Sequence, residues 1–273
     1  NDGLVADEFT ARVFSLEPDV AAKGLPAEAY LRAVHDEDQP LVMDALARAI
    51  QACGAYDIEY RVPQKDGEIR WMQARGRVEG DTAGKAVYLH GAVMDITGSK
   101  RAQETIRASE VYFRFLNDLI EATRMLADAG QIMAVTSRML GEHLHVSRCA
   151  YADVEQNGKK FTILHDYTDG CASTVGSYQL SHFGPKAVAT LQRGETLVIR
   201  NVDSELRPDE GGDMFNAIGI KAIITCPLVK EGALRAMMAV HQTSPRDWKA
   251  SDVAFVRDVV ERCWSTIERR NAE

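Results

Sequence analysis

From Ser99 to about Ala127 the chain contains neither proline nor glycine, and this stretch constrains the fold more than any other. With no breaker to interrupt it, the segment reads as one continuous helix. A helix of that length in the middle of 273 residues separates an N-terminal region from a C-terminal one. Chain length agrees, because 273 residues correspond to about two domains of ordinary size. Hydrophobic residues at 45% and charged residues at 26% are ordinary globular proportions, which excludes a disordered or collagen-like chain. The net charge of −8, from 32 basic and 40 acidic residues, has the wrong sign for wrapping nucleic acid or an anionic membrane surface.

Five cysteines, Cys53, Cys149, Cys171, Cys226 and Cys263, stand scattered without a Cys-x-x-Cys pair. Such a set suggests neither a disulfide framework nor a zinc knuckle, and it fits a reducing cytoplasm. No run approaches the roughly 20 apolar residues that span a bilayer, so the segment is expected to make no direct membrane contact. Beginning at Asn1 rather than at methionine, it reads as a piece of a longer protein in which membrane segments stay open.

Ahead of the long helix, Leu41, Val42, Ala45, Leu46 and Ile50 recur at helical spacing between Asp36 and Gln51. Tyr56, Ile58, Tyr60 and Val62 then alternate with Asp57, Glu59 and Arg61, the period of a half-buried antiparallel strand. Gln64 to Gly67 supplies a hairpin turn, Ile69 to Val78 a second strand and Ala86 to Ile96 a third. The run from EYRVPQKDGEIRWMQARGRV to YLHGAVMDITGSKRAQE resembles the C-terminal half of a PAS domain, and VHDEDQPLVMDALARAI resembles the helix that precedes the PAS hairpin. The resemblance covers about residues 30–105. It implies a PAS domain over 1–98 whose opening segment is too short for a complete first strand. It also implies that Asp95, Ile96 and Thr97 form the junction from the last strand into a signalling helix over 99–120.

In that helix Ala102, Ile106, Ser109, Phe113, Leu116, Ile120, Thr123 and Ala127 step by four and three, a heptad-like seam with polar interruptions. Phe115, Leu119, Ala122 and Leu126 make a second stripe. Two stripes imply two partners, one the neighbouring helix of a dimer and the other the domain C-terminal to it. The alternative is a helix packed on a single broad core.

Beyond Gly130 the pattern gives a helix to about Leu144, strands near 148–155 and 161–167, and a helix from Pro185 to Gln192. A strand from Thr196 to Asn201, a polar loop, two strands over 221–228 and 234–242 and a closing helix from Ala250 to Arg270 complete the chain. This is an α+β plan around a central antiparallel sheet. GIKAIITCPLVKEGALRAMMAVHQTSPRDWKASDVAFVRDVVERCWSTIE resembles a GAF domain, and DYTDGCASTVGSYQLSHFG is similar to the GAF domains found in bacterial sensor histidine kinases. The implied GAF domain with its output helix covers 121–273.

PAS and GAF domains resemble one another as small-molecule cups. Cys53 stands in QACGAY rather than in the Asn-Cys-Arg helix of a flavin-adduct PAS domain, and His35 and His90 read as capping or surface residues rather than haem ligands. Cys149 and Cys171 are each followed by alanine, not by the histidine of bilin-attaching GAF domains, so no covalently bound cofactor is expected and any other stays unknown. His143, His145 and Cys149 do not share one face, so no metal site is expected. The candidate lining of the GAF cup is Tyr151, His165, Tyr167, Cys171, Tyr178, Phe183, Cys226 and His241, with packed core plus exposed loop as the competing reading.

No phosphoacceptor histidine lies between Ser99 and Ala134 or after Ala250, and no glycine-rich nucleotide loop is present, so this segment is expected to lack catalysis of its own. The resemblance implies a cytoplasmic PAS–GAF sensory region of a two-component protein, with a C-terminal kinase domain in cis and a possible small-molecule ligand. A homodimer is expected along a seam of Ile106, Phe113, Leu116 and Ile120 in the connecting helix. Val253, Val256, Val260, Cys263 and Ile267 continue it in the closing helix, unless both helices pack on their own sheet. The other readings are a dimerisation scaffold with empty cups, and a GAF-type free methionine-sulfoxide reductase using Cys149, Cys171 or Cys226.

Overall fold

Strand alternation and helix breakers set the element order, and burial decides how the elements face one another. The computed structural model describes residues 3–271 and divides into two units, one ending at Glu110 and the other beginning at Val111. In the first, β1 (Gly3–Leu4), α1 (Glu8–Val13), α2 (Pro18–Ala21), β2 (Leu25–Pro26) and α3 (Ala27–Leu31) precede α4 (Gln39–Ala52). Next comes an antiparallel sheet in the order β3 (Ala55–Pro63), β4 (Ile69–Gly80), β5 (Ala86–Asp95). Its core gathers Phe14, Tyr30, Val42, Tyr60, Val62 and Met72. Asp38 locks the start of α4 to β3, accepting from the Arg61 side chain at 2.9 and 2.7 Å and from the Arg61 backbone N–H at 2.8 Å. This two-pronged carboxylate–guanidinium pair fixes orientation as well as distance.

Helix α5 (Thr97–Thr123) begins in the first unit and ends in the second. The second unit continues with α6 (Ala129–Leu144), β6 (Arg148–Val154), β7 (Lys160–Thr168), β8 (Gly176–Gln179), α7 (Gly184–Gln192) and β9 (Leu197–Ile199). Helices α8 (Val202–Glu205) and α9 (Gly212–Ala217), strands β10 (Ala222–Lys230) and β11 (Ala233–Gln242), and α10 (Ala250–Asn271) complete it. Its six strands form one antiparallel sheet in the order β8-β7-β6-β11-β10-β9. The polar loop expected before Lys221 thus contains two short α-helices with a 3-10 turn between them, held down by buried Val202 and Phe215.

One face of this sheet is covered by the last part of α5 with α6 and α10, the other by α7, α8 and α9. On the first side Phe115 meets Phe255 edge-on at 4.9 Å between ring centres, and Tyr112 donates to Asp258 at 2.9 Å. Helix α6 approaches β7 so closely that a Cβ on Gly141 would lie 2.2 Å from the Tyr167 ring, so any side chain there would force the ring to move. Trp248, buried ahead of α10, donates its indole N–H to the Ile199 carbonyl at 3.1 Å.

The dimer seam expected along α10 is corrected by this packing. Val256, Val260, Cys263 and Ile267 are buried in the unit's own core, Val253 packs against it, and Phe255 and Val259 lie beside them. The apolar arc of α10 is broad, and the sheet together with α6 and the end of α5 covers it. Leu116 is buried in the same core. Ile106, Phe113 and Ile120, spaced by seven along α5, are instead 57–60% exposed.

These assignments separate by mutation. Val260→Glu places a carboxylate in an apolar core and is expected to destabilise the second unit by about 4 kcal/mol or more in urea unfolding. Phe113→Glu is expected to change stability by no more than about 0.5 kcal/mol.

Two candidate ligand cups

Successive residues of a strand point to opposite faces, so each strand of the six-stranded sheet gives half its side chains to α6 and α10 and half to the α7–α9 side. On that second side Ala150, Ala152, Ile223, Met237 and Ala239 line a cavity of about 50 Å³ with Phe161, Phe183, Phe215 and Tyr178. That is room for a few water molecules only. The aromatic rings fill the rest: Phe161 stacks on Tyr178 at 5.4 Å, and Phe183 meets Phe215 edge-on at 5.1 Å.

Of the eight residues expected to line this cup, Tyr178, Phe183 and His241 are placed there. Tyr151 and Cys226 belong to the opposite phase of their strands and pack on the α6–α10 side. His165 and Tyr167 are displaced by a bulge. The pairing runs Tyr151 with His165 but Ala152 with Ile163, so Leu164 is an extra residue and everything after it changes face. His165 is exposed as a result, and Tyr167 packs against the α6 side. Cys171 sits in the loop after β7, where its thiol donates to the Ser147 carbonyl at 3.0 Å. Among the described residues no cysteine lines this cavity. Burial pushes the thiols of Cys149 and Cys226 upward, the latter to about 11.

Arg148, on the cavity side of β6, is fully buried, a feature that strand alternation alone had not singled out. Its guanidinium donates to the Ala172 carbonyl at 3.1 and 2.5 Å and to the Ile218 carbonyl at 3.3 Å, and lies 4.0 Å from the Asp166 carboxylate. Asp166 in turn accepts from the Thr174 N–H at 2.6 Å and from the Ser173 hydroxyl at 2.8 Å. The pair ties the loop after β7 to the sheet, and its charges are matched where they are buried. His241 lies 3.5 Å from Arg148, and burial, with that cation beside it, lowers its pKa to about 3.

The first unit has a cup larger than this one, about 390 Å³ between the sheet, α4 and the segment Leu4 to Asp7. This volume is within the range of small-molecule sites. Tyr56 and Tyr60 of β3, Phe14, Tyr30, Leu46 of α4, and Leu89 and Val93 of β5 are among its walls. Gly76 and Gly91 sit opposite each other in the β4–β5 ladder and also line it. A Cβ on Gly91 would lie 2.3 Å from the Arg75 carbonyl oxygen, so here two strands approach without side chains and leave the wall bare. Among the described residues no histidine, cysteine or methionine lines the cavity, and His35 and His90 lie outside it, so the cup supplies none of these as a haem ligand. Cys53 also lies outside, its thiol directed at the Gly84 carbonyl at 3.4 Å. Among the described residues, no group of three His, Cys, Asp or Glu side chains is arranged to hold a metal ion.

At the end of β5 the Asp95 carboxylate accepts from the Thr97 N–H at 2.9 Å, and the Thr97 hydroxyl accepts from the Trp71 N–H at 2.9 Å. The Ile96 N–H donates to the Trp71 carbonyl at 2.9 Å. The start of α5 is therefore pinned to β4 as well as continuous with β5. Lys100 adds an ion pair to Glu59 at 2.5 Å and stands 5.1 Å over the Trp71 ring.

The buried His241 gives the second unit a pH signature. Its folded pKa lies below the ordinary value near 6.5, so between about pH 6.5 and pH 3 the unfolded chain binds a proton that the native state refuses. The histidine's contribution is complete above that window and is lost as pH falls through it, with a slope of at most about 1.4 kcal/mol per pH unit. Urea unfolding of wild type and His241→Gln at pH 5, 6 and 7 is expected to show the wild type losing more stability on acidification.

Known proteins fall into line with these two units. The PAS fold family matches residues 16–93, and the GAF domain family matches residues 128–267, just over half of the chain. Sensor protein FixL of Bradyrhizobium diazoefficiens is 26% identical over 135 residues, covering 50% of this chain and 26% of FixL. The chain thus spans about a quarter of that relative's length. The phycoerythrobilin-bound GAF domain of a cyanobacterial phytochrome has a TM-score of 0.52 at 14% identity, over 60% of this chain and 98% of its own. The chromophore-binding domain of an unusual bacteriophytochrome from R. palustris has a TM-score of 0.52 at 13% identity, over 97% of this chain and 89% of its own. At these identities the likeness is one of fold. Among the described residues no helix is long and apolar enough to cross a membrane. The chain belongs to the GAF domain family and carries a PAS fold ahead of its GAF domain, a tandem of sensory domains.

Proposed function

We propose that this chain is the sensory region of a cytoplasmic bacterial two-component protein, in which occupancy of the PAS cup shifts the set of α5 and so biases a histidine kinase domain outside this chain. The observation that carries the reading is the double use of β5. Leu89, Gly91 and Val93 border the PAS cup, and the same strand ends at Asp95, just ahead of the start of α5. A ligand that favours one packing of that wall changes the geometry at the junction by its differential affinity for the two packings. Domain limits of 1–98, 99–120 and 121–273 belong to the same proposal, with α10 as the output helix.

In this reading the segment is not itself catalytic, and the ligand is a small molecule held without a covalent bond. The cavity linings, which contain no cysteine among the described residues, support the second point. The reductase alternative is poorly served by the thiols, since Cys149 and Cys226 are buried on the sheet face away from the GAF cavity. The parent is proposed to be a homodimer along α5, supported by the exposure of Ile106, Phe113 and Ile120 at heptad spacing.

Two experiments test this. In the full-length parent, Asp95→Ala is expected to abolish the response of kinase output to signal while costing about 1 kcal/mol of stability, the worth of a helix cap. An unchanged response would sink the coupling role. Sedimentation over a range of concentrations is expected to show association that Phe113→Glu and Ile120→Glu weaken. A monomer at every concentration would remove the dimer.

A further inference from the structure

The PAS cup has a polar inventory specific enough to say what kind of molecule it suits, an inference that rests on the cup being the signal site. Three tyrosines face the cavity, Tyr30, Tyr56 and Tyr60. The Tyr30 hydroxyl is already used, donating to the Leu4 carbonyl at 3.1 Å. The hydroxyls of Tyr56 and Tyr60 have no hydrogen-bond partner among the described residues. Tyr60 as a whole is only 3% exposed, yet its hydroxyl is not among the sealed, unsatisfied atoms, so it opens onto the cavity. A donor facing a largely apolar cavity is placed to bond a ligand acceptor in exchange for water. Burial raises the pKa of both phenols, so near neutral pH they are donors.

Charge narrows the choice further. The two ionisable side chains at the cavity with a formal charge at neutral pH are Asp7 and Arg75. Asp7 caps α1, accepting from the Thr10 N–H at 2.8 Å, and the Thr10 side chain together with that N–H lowers its pKa and keeps it anionic. Arg75 holds Asp57 at 2.9 Å, and both side chains are more than half exposed on the other face of the sheet. Among the described residues no cation is left to receive an anionic ligand, and the anion at the mouth opposes one. Thr10, whose side chain interacts with Asp7, is the other polar residue of the lining; the remaining wall is apolar or bare backbone, with Phe14 and the glycine pair Gly76 and Gly91 offering flat surfaces.

We propose that the PAS cup binds a neutral, planar, mostly apolar molecule through a carbonyl-type acceptor, with the Tyr60 hydroxyl as first donor and Tyr56 as second. The proposal excludes carboxylates, and it excludes hydrocarbons that lack an acceptor as preferred ligands.

Three matched probes test it on the whole chain by equilibrium dialysis: 2-acetylnaphthalene, 2-ethylnaphthalene and 2-naphthoate. The ketone is expected to bind roughly five- to tenfold more tightly than the hydrocarbon, the worth of one buried hydrogen bond, and the carboxylate most weakly. Tyr60→Phe, which keeps the ring and removes only the hydroxyl, is expected to bring the ketone down to the hydrocarbon's level without altering the hydrocarbon. Tyr56→Phe is expected to give a smaller loss in the same direction. Equal binding of ketone and hydrocarbon, tightest binding of the carboxylate, or a ketone preference that survives both substitutions would overturn the assignment while leaving a ligand-binding cup in place. Failure of all three probes to bind the folded chain would overturn both the assignment and the cup as signal site.

Discussion

The second unit depends on a sheet that has to be buried on both faces. Alternation makes every strand contribute to two cores at once, and residues one apart in sequence, such as Ile223 and Ile224, end in different clusters. The apolar arcs of α6 and α10 are consumed in covering one side. That is why a helix with good heptad spacing, α10, has its seam residues buried within its own unit. The stripe on α5 differs because the core takes Tyr112, Phe115, Leu116, Leu119 and Thr123, while Ile106, Phe113 and Ile120 stay exposed.

The same physics separates the two cups. In the GAF domain aromatic side chains from β7, α9 and the turn before α7 converge and leave about 50 Å³. The buried Arg148 holds the adjoining loop by satisfying backbone carbonyls that would otherwise be unpaired. In the PAS domain the opposed glycines take side chains away from one wall, and about 390 Å³ stays open.

The junction has a comparable economy of parts. Asp95 satisfies the first free N–H of the helix, that of Thr97, and the Thr97 hydroxyl accepts from the Trp71 N–H of β4, so the start of α5 is held by two strands. A movement of β5 against β4 would be felt at that point, because the contacts there are short, directional and few. The bare crossing of Gly76 and Gly91 lies in the same ladder, where no interlocking side chains oppose a small shift.

The two-unit plan, the strands of the PAS hairpin, the long middle helix and the family resemblance were all legible in the amino-acid sequence. Each rests on local signals: period-two alternation, the absence of breakers from Ser99 to Ala127, and short runs of text. It also named Tyr178, Phe183 and His241 of the GAF cup. Tertiary structure decided the rest. A single bulge at Leu164 reversed the faces of His165 and Tyr167, and nothing in the residue types around it announces an extra residue. Whether the stripe of α10 meets a partner or its own sheet depends on which apolar surfaces are left uncovered, a property of the assembled unit rather than of the helix. The openness of the PAS cup, likewise, comes from two glycines brought face to face by strand register, which spacing along the chain cannot convey.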